Sequence, residues 1–195
     1  MKRPTIIEFS GLPNSGKTTL LRRLEVKCRN NSVNAIILQE PAELLPKSIP
    51  KGVVEQNLWI TLKTLSEALE LSFRKEADYF LLDRGYYNQL FWATMYVDTN
   101  PEYAKYVRQL VEEFGERFNV KPDYLYVIDV DVEEALKRRA ASGEPVTFSK
   151  EDFLRNYRKK FAAFVEGISQ KLYLDTTNMG KDEVAEVVYN QIITL

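Results

Sequence analysis

Two kinds of apolar pattern alternate along the chain. Short runs rich in β-branched and aromatic residues at 5–10, 34–38, 77–83, 123–129 and 171–175 read as strands. Between them, apolar residues recur three and four apart, which is the helical spacing. After the first run, Leu20, Leu21, Leu24 and Cys28 share one helical face, with Arg22, Arg23 and Lys27 on the other. A long helix over 54–75 is predicted from the stripe Leu58, Leu62, Leu65 and Leu69, flanked by Trp59. Residues 86–96 are aromatic-rich and predicted helical. Asn100 and Pro101 supply an N-cap and a first-turn proline to a helix with Tyr103, Val107, Leu110, Phe114 and Phe118 on one face. Asp131 with Glu134, and Ser149 with Asp152, predict capping pairs for two more helices. The second of these has Phe153, Tyr157, Phe161, Phe164 and Ile168 as its core face. A last helix is predicted over 181–193. Strand and helix alternate five times, so the expectation is a three-layer α/β/α sandwich around a five-stranded parallel sheet.

Candidate chemistry sits where the first strand meets the first helix. Gly11-Leu12-Pro13-Asn14-Ser15-Gly16-Lys17-Thr18 reads G-x-x-x-x-G-K-T, the signature of a phosphate-binding loop of the P-loop NTPase type. The glycines let backbone N–H groups close around an anion, because no Cβ blocks the approach. Lys17 adds a full positive charge, and the helix N-terminus adds a partial one. Gly11, Asn14, Ser15, Gly16, Lys17, Thr18 and Thr19 are therefore expected to hold the phosphates of a nucleotide, with Thr18 placed to ligate Mg²⁺. The apolar run 79–82 ends in Asp83, the pattern of a Walker B element whose acid meets Mg²⁺ at a strand end. Glu40, followed by Pro41, lies just past the second strand, where open α/β sheets bind ligands.

Composition narrows the field. The 195 residues with a 45% apolar fraction, 8 Gly and 8 Pro fit one globular domain, 1–195. Lys plus Arg is 27 against 28 acidic residues, so no overall basic excess exists to hold a nucleic-acid backbone, and nucleic acid is not an expected partner. With no His and one Cys, zinc catalysis and His-based or Cys/His catalysis are excluded, leaving carboxylates, Lys, Arg and Mg²⁺ to carry a reaction. The lone thiol fits a reducing cytoplasm, and no apolar stretch approaches the length of a bilayer span, so no membrane role is expected. The few apolar residues after Met1-Lys2-Arg3-Pro4 lead straight into the loop and read as a strand rather than a signal peptide. The oligomeric state is not set by these features, and a homodimer stays open.

Among phosphate-loop proteins, a GTPase needs Asn-Lys-x-Asp and Asp-x-x-Gly, and neither occurs; the Leu-Ser-Gly-Gly of transporter ATPases is also absent. Small-molecule kinases remain. The stretch 8–19, Glu40-Pro41, Asp83-Arg84 and the region 134–157 together resemble the thymidylate kinase and deoxynucleoside kinase superfamily. Gln39-Glu40-Pro41-Ala42-Glu43 is nearer the nucleoside kinase form, and Asp83-Arg84-Gly85 matches neither the Asp-Arg-Tyr of one group nor the Glu-Arg-Ser of the other. The resemblance implies an ATP- and Mg²⁺-dependent kinase acting on a nucleoside or nucleoside monophosphate. It implies Glu40 as base or orienting carboxylate, Asp83 as a carboxylate on the magnesium side, and Arg84 as a contact to the acceptor. It also implies a short basic lid at about 137–148 in which Arg138 or Arg139 reaches the phosphates, and the loop Thr176-Thr177-Asn178, with Thr177 among its residues, beside the adenine. Trp59, Tyr86, Tyr87 and Trp92 are candidates to stack on a base, with Gln56 or Gln89 to read its edge. Two other readings fit the same motif: a nucleotide-switched ATP-binding or ATPase module, and a kinase of another small metabolite.

Overall fold

The strand β1 (Thr5–Ser10) is buried along both faces because it lies in the middle of the sheet. In a computed structural model describing residues 3–143 and 145–195, β1 is flanked by β3 (Tyr79–Asp83) and β4 (Tyr124–Asp129). Outside these lie β2 (Ala35–Leu38) and β5 (Lys171–Asp175), and every pairing is parallel in the order β2-β3-β1-β4-β5. The register aligns Phe9 with Asp83 and Asp129 with Asp175, so the C-terminal strand ends form one edge. The chain order reverses direction across that edge between β3, β1 and β4, the place where such sheets bind ligands.

Helices cover both faces, giving the expected three layers. On one face α1 (Lys17–Asn30) and α7 (Lys181–Ile192) bury Leu20, Leu21, Leu24 and Cys28 against Val184, Val188 and Ile192. On the other lie α2 (Val54–Leu71), α3 (Tyr86–Met95), α4 (Pro101–Phe118), α5 (Val132–Ala141) and α6 (Phe148–Glu166). Phe91 of α3 is the hub of this side, with its ring 4.6 Å from that of Tyr157 and 5.0 Å from that of Phe161.

Several local expectations are corrected. The helix α2 stops at Leu71, and Leu62 is exposed. Its buried face is Ile60, Thr61, Thr64, Leu65, Ala68 and Leu71, because two threonines turn inward to meet Gln89 of α3. On α4 the buried positions are Ala104, Val107, Val111 and Gly115, and Phe118 is exposed. On α6 they are Leu154, Tyr157, Phe161 and Val165, with Phe153, Phe164 and Ile168 only half-buried. The predicted capping pair of Asp131 and Glu134 does not form among the described residues. The Asp131 carboxylate accepts from Arg158 and that of Glu134 from Arg138, since charged partners hold a carboxylate more strongly than an amide does. The cap of α6 is Thr147, whose hydroxyl accepts from Lys150 N, so the start predicted at Ser149 falls inside the first turn. Residues 1–2 of the N-terminal stretch and residue 144 of the expected lid lie outside the described residues.

Candidate active site

The loop between β1 and α1 has the backbone its glycines imply. Gly11 has φ +148°, and a Cβ there would stand 2.1 Å from Ile128 O, so the loop can pass β4 only as glycine. Asn14 (φ 64°) and Gly16 (φ 94°) are also left-handed, turning the chain back over the helix start. Among the described residues no side chain caps α1, and its first turn holds no acid. Its leading N–H groups are thus left to an anion. The side-chain nitrogen of Asn14 is buried with no partner at the same place.

Lys17 is almost fully buried, and its ammonium donates to Gly11 O (3.2 Å), Leu12 O (3.0 Å) and Ser15 Oγ (3.3 Å). Burial pushes its pKa down to about 7, aided by the charge of Arg84 and opposed by Asp83 and Glu40. Those three charges are near enough to act on Lys17, so the groups predicted from separate motifs do converge. Thr18 donates its hydroxyl to Asp83 Oδ2 at 2.6 Å, while Asp83 Oδ1 is buried without a partner among the described residues. A hydroxyl beside an orphaned carboxylate oxygen at the mouth of a phosphate loop is a donor set that fits Mg²⁺, a hard cation preferring oxygen. Thr19 is exposed on the first turn of α1.

Glu40 and Arg84 form an ion pair, Arg84 Nη1 to Glu40 Oε1, with side chains only 18% and 15% exposed. Burial alone would lower the Arg84 pKa, but the Glu40 carboxylate together with Tyr157 and Asp83 outweighs it and the net shift is upward. Arg84 has φ 63°, a strained setting for a long side chain, and its Nε is buried without a partner among the described residues. The pair borders a cavity of about 450 Å³ lined also by Lys51, Gln56, Asn57, Asn88, Gln89, Trp92 and Tyr96. Of the expected base contacts, Trp92, Gln56 and Gln89 line it. Trp59, Tyr86 and Tyr87 do not: Tyr86 is buried against Gly115, where a Cβ would stand 2.4 Å from its hydroxyl oxygen. Gln89 is held by Thr61 (3.1 Å) and Thr64 (3.3 Å), while Asn88 Oδ1 has no partner among the described residues.

The two lid arginines diverge. Arg138 turns to the loop, donating to Ser15 O (3.0 Å) and to Thr176 O (2.8 Å), and Glu134 accepts from its Nε. Arg139 is directed to Pro145 O (2.7 Å) and is not brought to the phosphate loop. Thr177 lies in the loop that follows β5. Its hydroxyl donates to Asp175 Oδ1 (2.6 Å) and accepts from Asp131 N (2.9 Å), so it fastens the loop after β5; its neighbour Thr176 is the one touching Arg138.

The residue the motifs missed is Glu8. It is fully exposure-free inside β1, and burial raises its pKa to about 7 against the lowering effect of amide bonds from Tyr87 and Asn88. The available signal was one acid inside an otherwise apolar inner strand. Tyr157, read as core, also reaches the site: its hydroxyl donates to Gly11 O (3.3 Å), and burial lifts its pKa to about 12.

A parallel sheet in this strand order, a phosphate loop and an adjoining cavity with a carboxylate–guanidinium pair define a phosphate-loop kinase of small molecules. The chain belongs to the thymidylate kinase family, whose profile matches residues 61–188, and is a nucleotide- or nucleoside-directed phosphotransferase. It is 27% identical over 198 residues to a probable thymidylate kinase of Methanocaldococcus jannaschii, covering 96% of this chain and 93% of that one. It is 26% identical over 201 residues to the thymidylate kinase of Nitrobacter winogradskyi, covering 96% and 87%. The fold is shared with thymidylate kinase from Candida albicans (TM-score 0.65, 18% identity, 98% and 92% covered). It is shared also with deoxyadenosine kinase from M. mycoides, solved with dCMP and dCDP (TM-score 0.71, 14% identity, 98% and 100% covered). Among the described residues no helix is long and apolar enough to cross a membrane.

Proposed function

We propose that this chain moves the γ-phosphoryl group of ATP to a nucleoside or nucleoside monophosphate seated in the cavity beside Glu40 and Arg84. The observation that carries the reading is the placement of the pair: it borders the cavity, and Arg84 directly follows Asp83, whose carboxylate accepts from Thr18 at the end of the phosphate loop. Donor and acceptor sites thus meet where a phosphoryl group must cross.

Each residue then has a task set by its position. The amides of 14–18 cradle the β- and γ-phosphates, and Lys17 leaves its loop carbonyls to neutralise charge on the transferred group. Thr18 and Asp83 would hold Mg²⁺, which when bound neutralises phosphate oxygens and fixes their geometry. Because the transition state of phosphoryl transfer is loose, most of the catalysis is positioning and charge neutralisation. Arg84 fixes one Glu40 oxygen, leaving Oε2 to take or orient the proton of an acceptor hydroxyl; with a monophosphate acceptor, Arg84 would hold its phosphate instead. Arg138 supports the loop through Ser15 O and is the lid arginine placed to serve the donor, in a lid at about 137–148 on a single-domain chain. Trp92 supplies the aromatic face for a base, and Gln89 a fixed amide to read it.

The test is to incubate the protein with ATP, Mg²⁺ and a panel of nucleosides and nucleoside monophosphates and to follow ADP. The reading expects ADP formation stimulated by at least one acceptor and lost in Lys17→Ala. Slow hydrolysis indifferent to every acceptor would overturn it.

A further inference from the structure

A carboxylate in the interior of a central strand is costly to bury, and Glu8 is there with no exposed surface. Its partners explain the placement. Oε2 accepts from Tyr87 N (2.8 Å), and Oε1 accepts from Asn88 N (2.8 Å) and Ser10 Oγ (3.1 Å). The two amides are in the first turn of α3, where orphan N–H groups and the helix dipole favour a negative group. No local side chain caps α3; its N-cap is Gly85. A Cβ on Gly85 would stand 3.0 Å from Glu8 Oε2, so a glycine after Asp83-Arg84 makes room for the carboxylate. The contact favours glycine as the third residue of Asp83-Arg84-Gly85.

The position of Glu8 links the two halves of the site. Two residues after it, β1 ends at Ser10 and becomes the phosphate loop. The turn it holds follows directly on Arg84 and carries Asn88, Gln89 and Trp92 to the cavity. We propose that Glu8 is a positioning residue for the acceptor, clamping the helix that lines the cavity to the strand that carries the phosphate loop. The proposal rests on the reading that this cavity takes the acceptor.

Glu8→Gln keeps the shape and one accepting oxygen but loses the second, so one amide bond disappears. At pH 8, where the carboxyl is ionised, a hydrogen bond to it amounts to about a tenfold change in an equilibrium. We therefore expect the acceptor KM of a folded Glu8→Gln protein to rise about tenfold, the ATP KM to change by no more than about twofold, and hydrogen exchange at the Tyr87 and Asn88 amides to quicken. Gly85→Ala, whose Cβ displaces the carboxylate, should raise the acceptor KM in the same selective way. Equal changes in both KM values, or in neither, overturn the proposal. So does unchanged amide exchange, which needs no acceptor at all. A Trp92→Ala variant with the wild-type acceptor KM would instead remove the cavity reading, leaving the exchange measurement to decide whether Glu8 holds the turn.

Discussion

The phosphate loop, proposed as the donor side, occupies one unbroken stretch, 11–19, whereas the cavity proposed for the acceptor is lined from three separate segments, 40–42, 51–60 and 84–96. The first is built largely from backbone: left-handed residues, helix amides and one lysine. The second is built from side chains on different elements, held to one another by Glu40–Arg84 and by the Thr61, Thr64 and Gln89 contacts. A phosphate is the same in every nucleotide and can be met by a fixed backbone. An acceptor differs from one kinase to the next, and side chains can change without unfolding the loop that grips the donor.

That contrast is broken most forcefully by Lys17→Ala. We expect kcat to fall on the order of 10³, the scale for losing one group that stabilises transition-state charge, while acceptor affinity stays at its wild-type value. A matching loss of acceptor affinity, read by calorimetry, would mean that the two sides are not separately built. Arg84→Met attacks the other side. It removes the guanidinium that orients Glu40 and faces the acceptor, so acceptor kcat/KM should fall on the order of 10²-fold with the ATP KM unchanged.

The clamp between the halves carries a pH signature. Glu8 has its pKa raised by burial from the usual 4.5 to about 7, so the folded chain holds a proton that the unfolded chain has released. Its contribution to stability therefore falls as pH rises from about 4.5 through 7, by up to about 3 kcal/mol. Thermal melts across that range should show the decline in the native protein and a shallower slope in Glu8→Gln; identical slopes would contradict the assignment. The smallest effect is at the cavity wall, where Trp92→Ala should raise the acceptor KM about tenfold, the usual scale for one base stacked on one ring, with ATP unaffected in steady-state kinetics.

The same contrast decides what was legible in the sequence. The phosphate loop, the five strands and Asp83 at a strand end are local patterns, and spacing alone locates them. The inward threonines of α2 were invisible, because periodicity in leucines places a stripe without knowing that Gln89 needs partners across the interface. The capping pair Asp131 and Glu134 was overridden for the same reason: Arg158 and Arg138 arrive from 27 and 4 residues away with full charge. Arg138 and Arg139 are adjacent in sequence, and only the fold shows that Arg138 meets Ser15 and that Arg139 turns to Pro145. Glu8 stood in plain view as an acid in an apolar strand, but its reason for being there lies 79 and 80 residues further along the chain.

Phosphoryl transfer followed from both ends tests the account most directly: ADP released and acceptor phosphorylated, measured together for the native protein, Lys17→Ala and Arg84→Met across nucleosides and nucleoside monophosphates. The account predicts equal amounts of the two products from the native protein, almost none from Lys17→Ala, and a loss in Arg84→Met that more acceptor partly restores. ADP released without any acceptor gaining a phosphate, or an Arg84→Met protein indistinguishable from the native one, would contradict it.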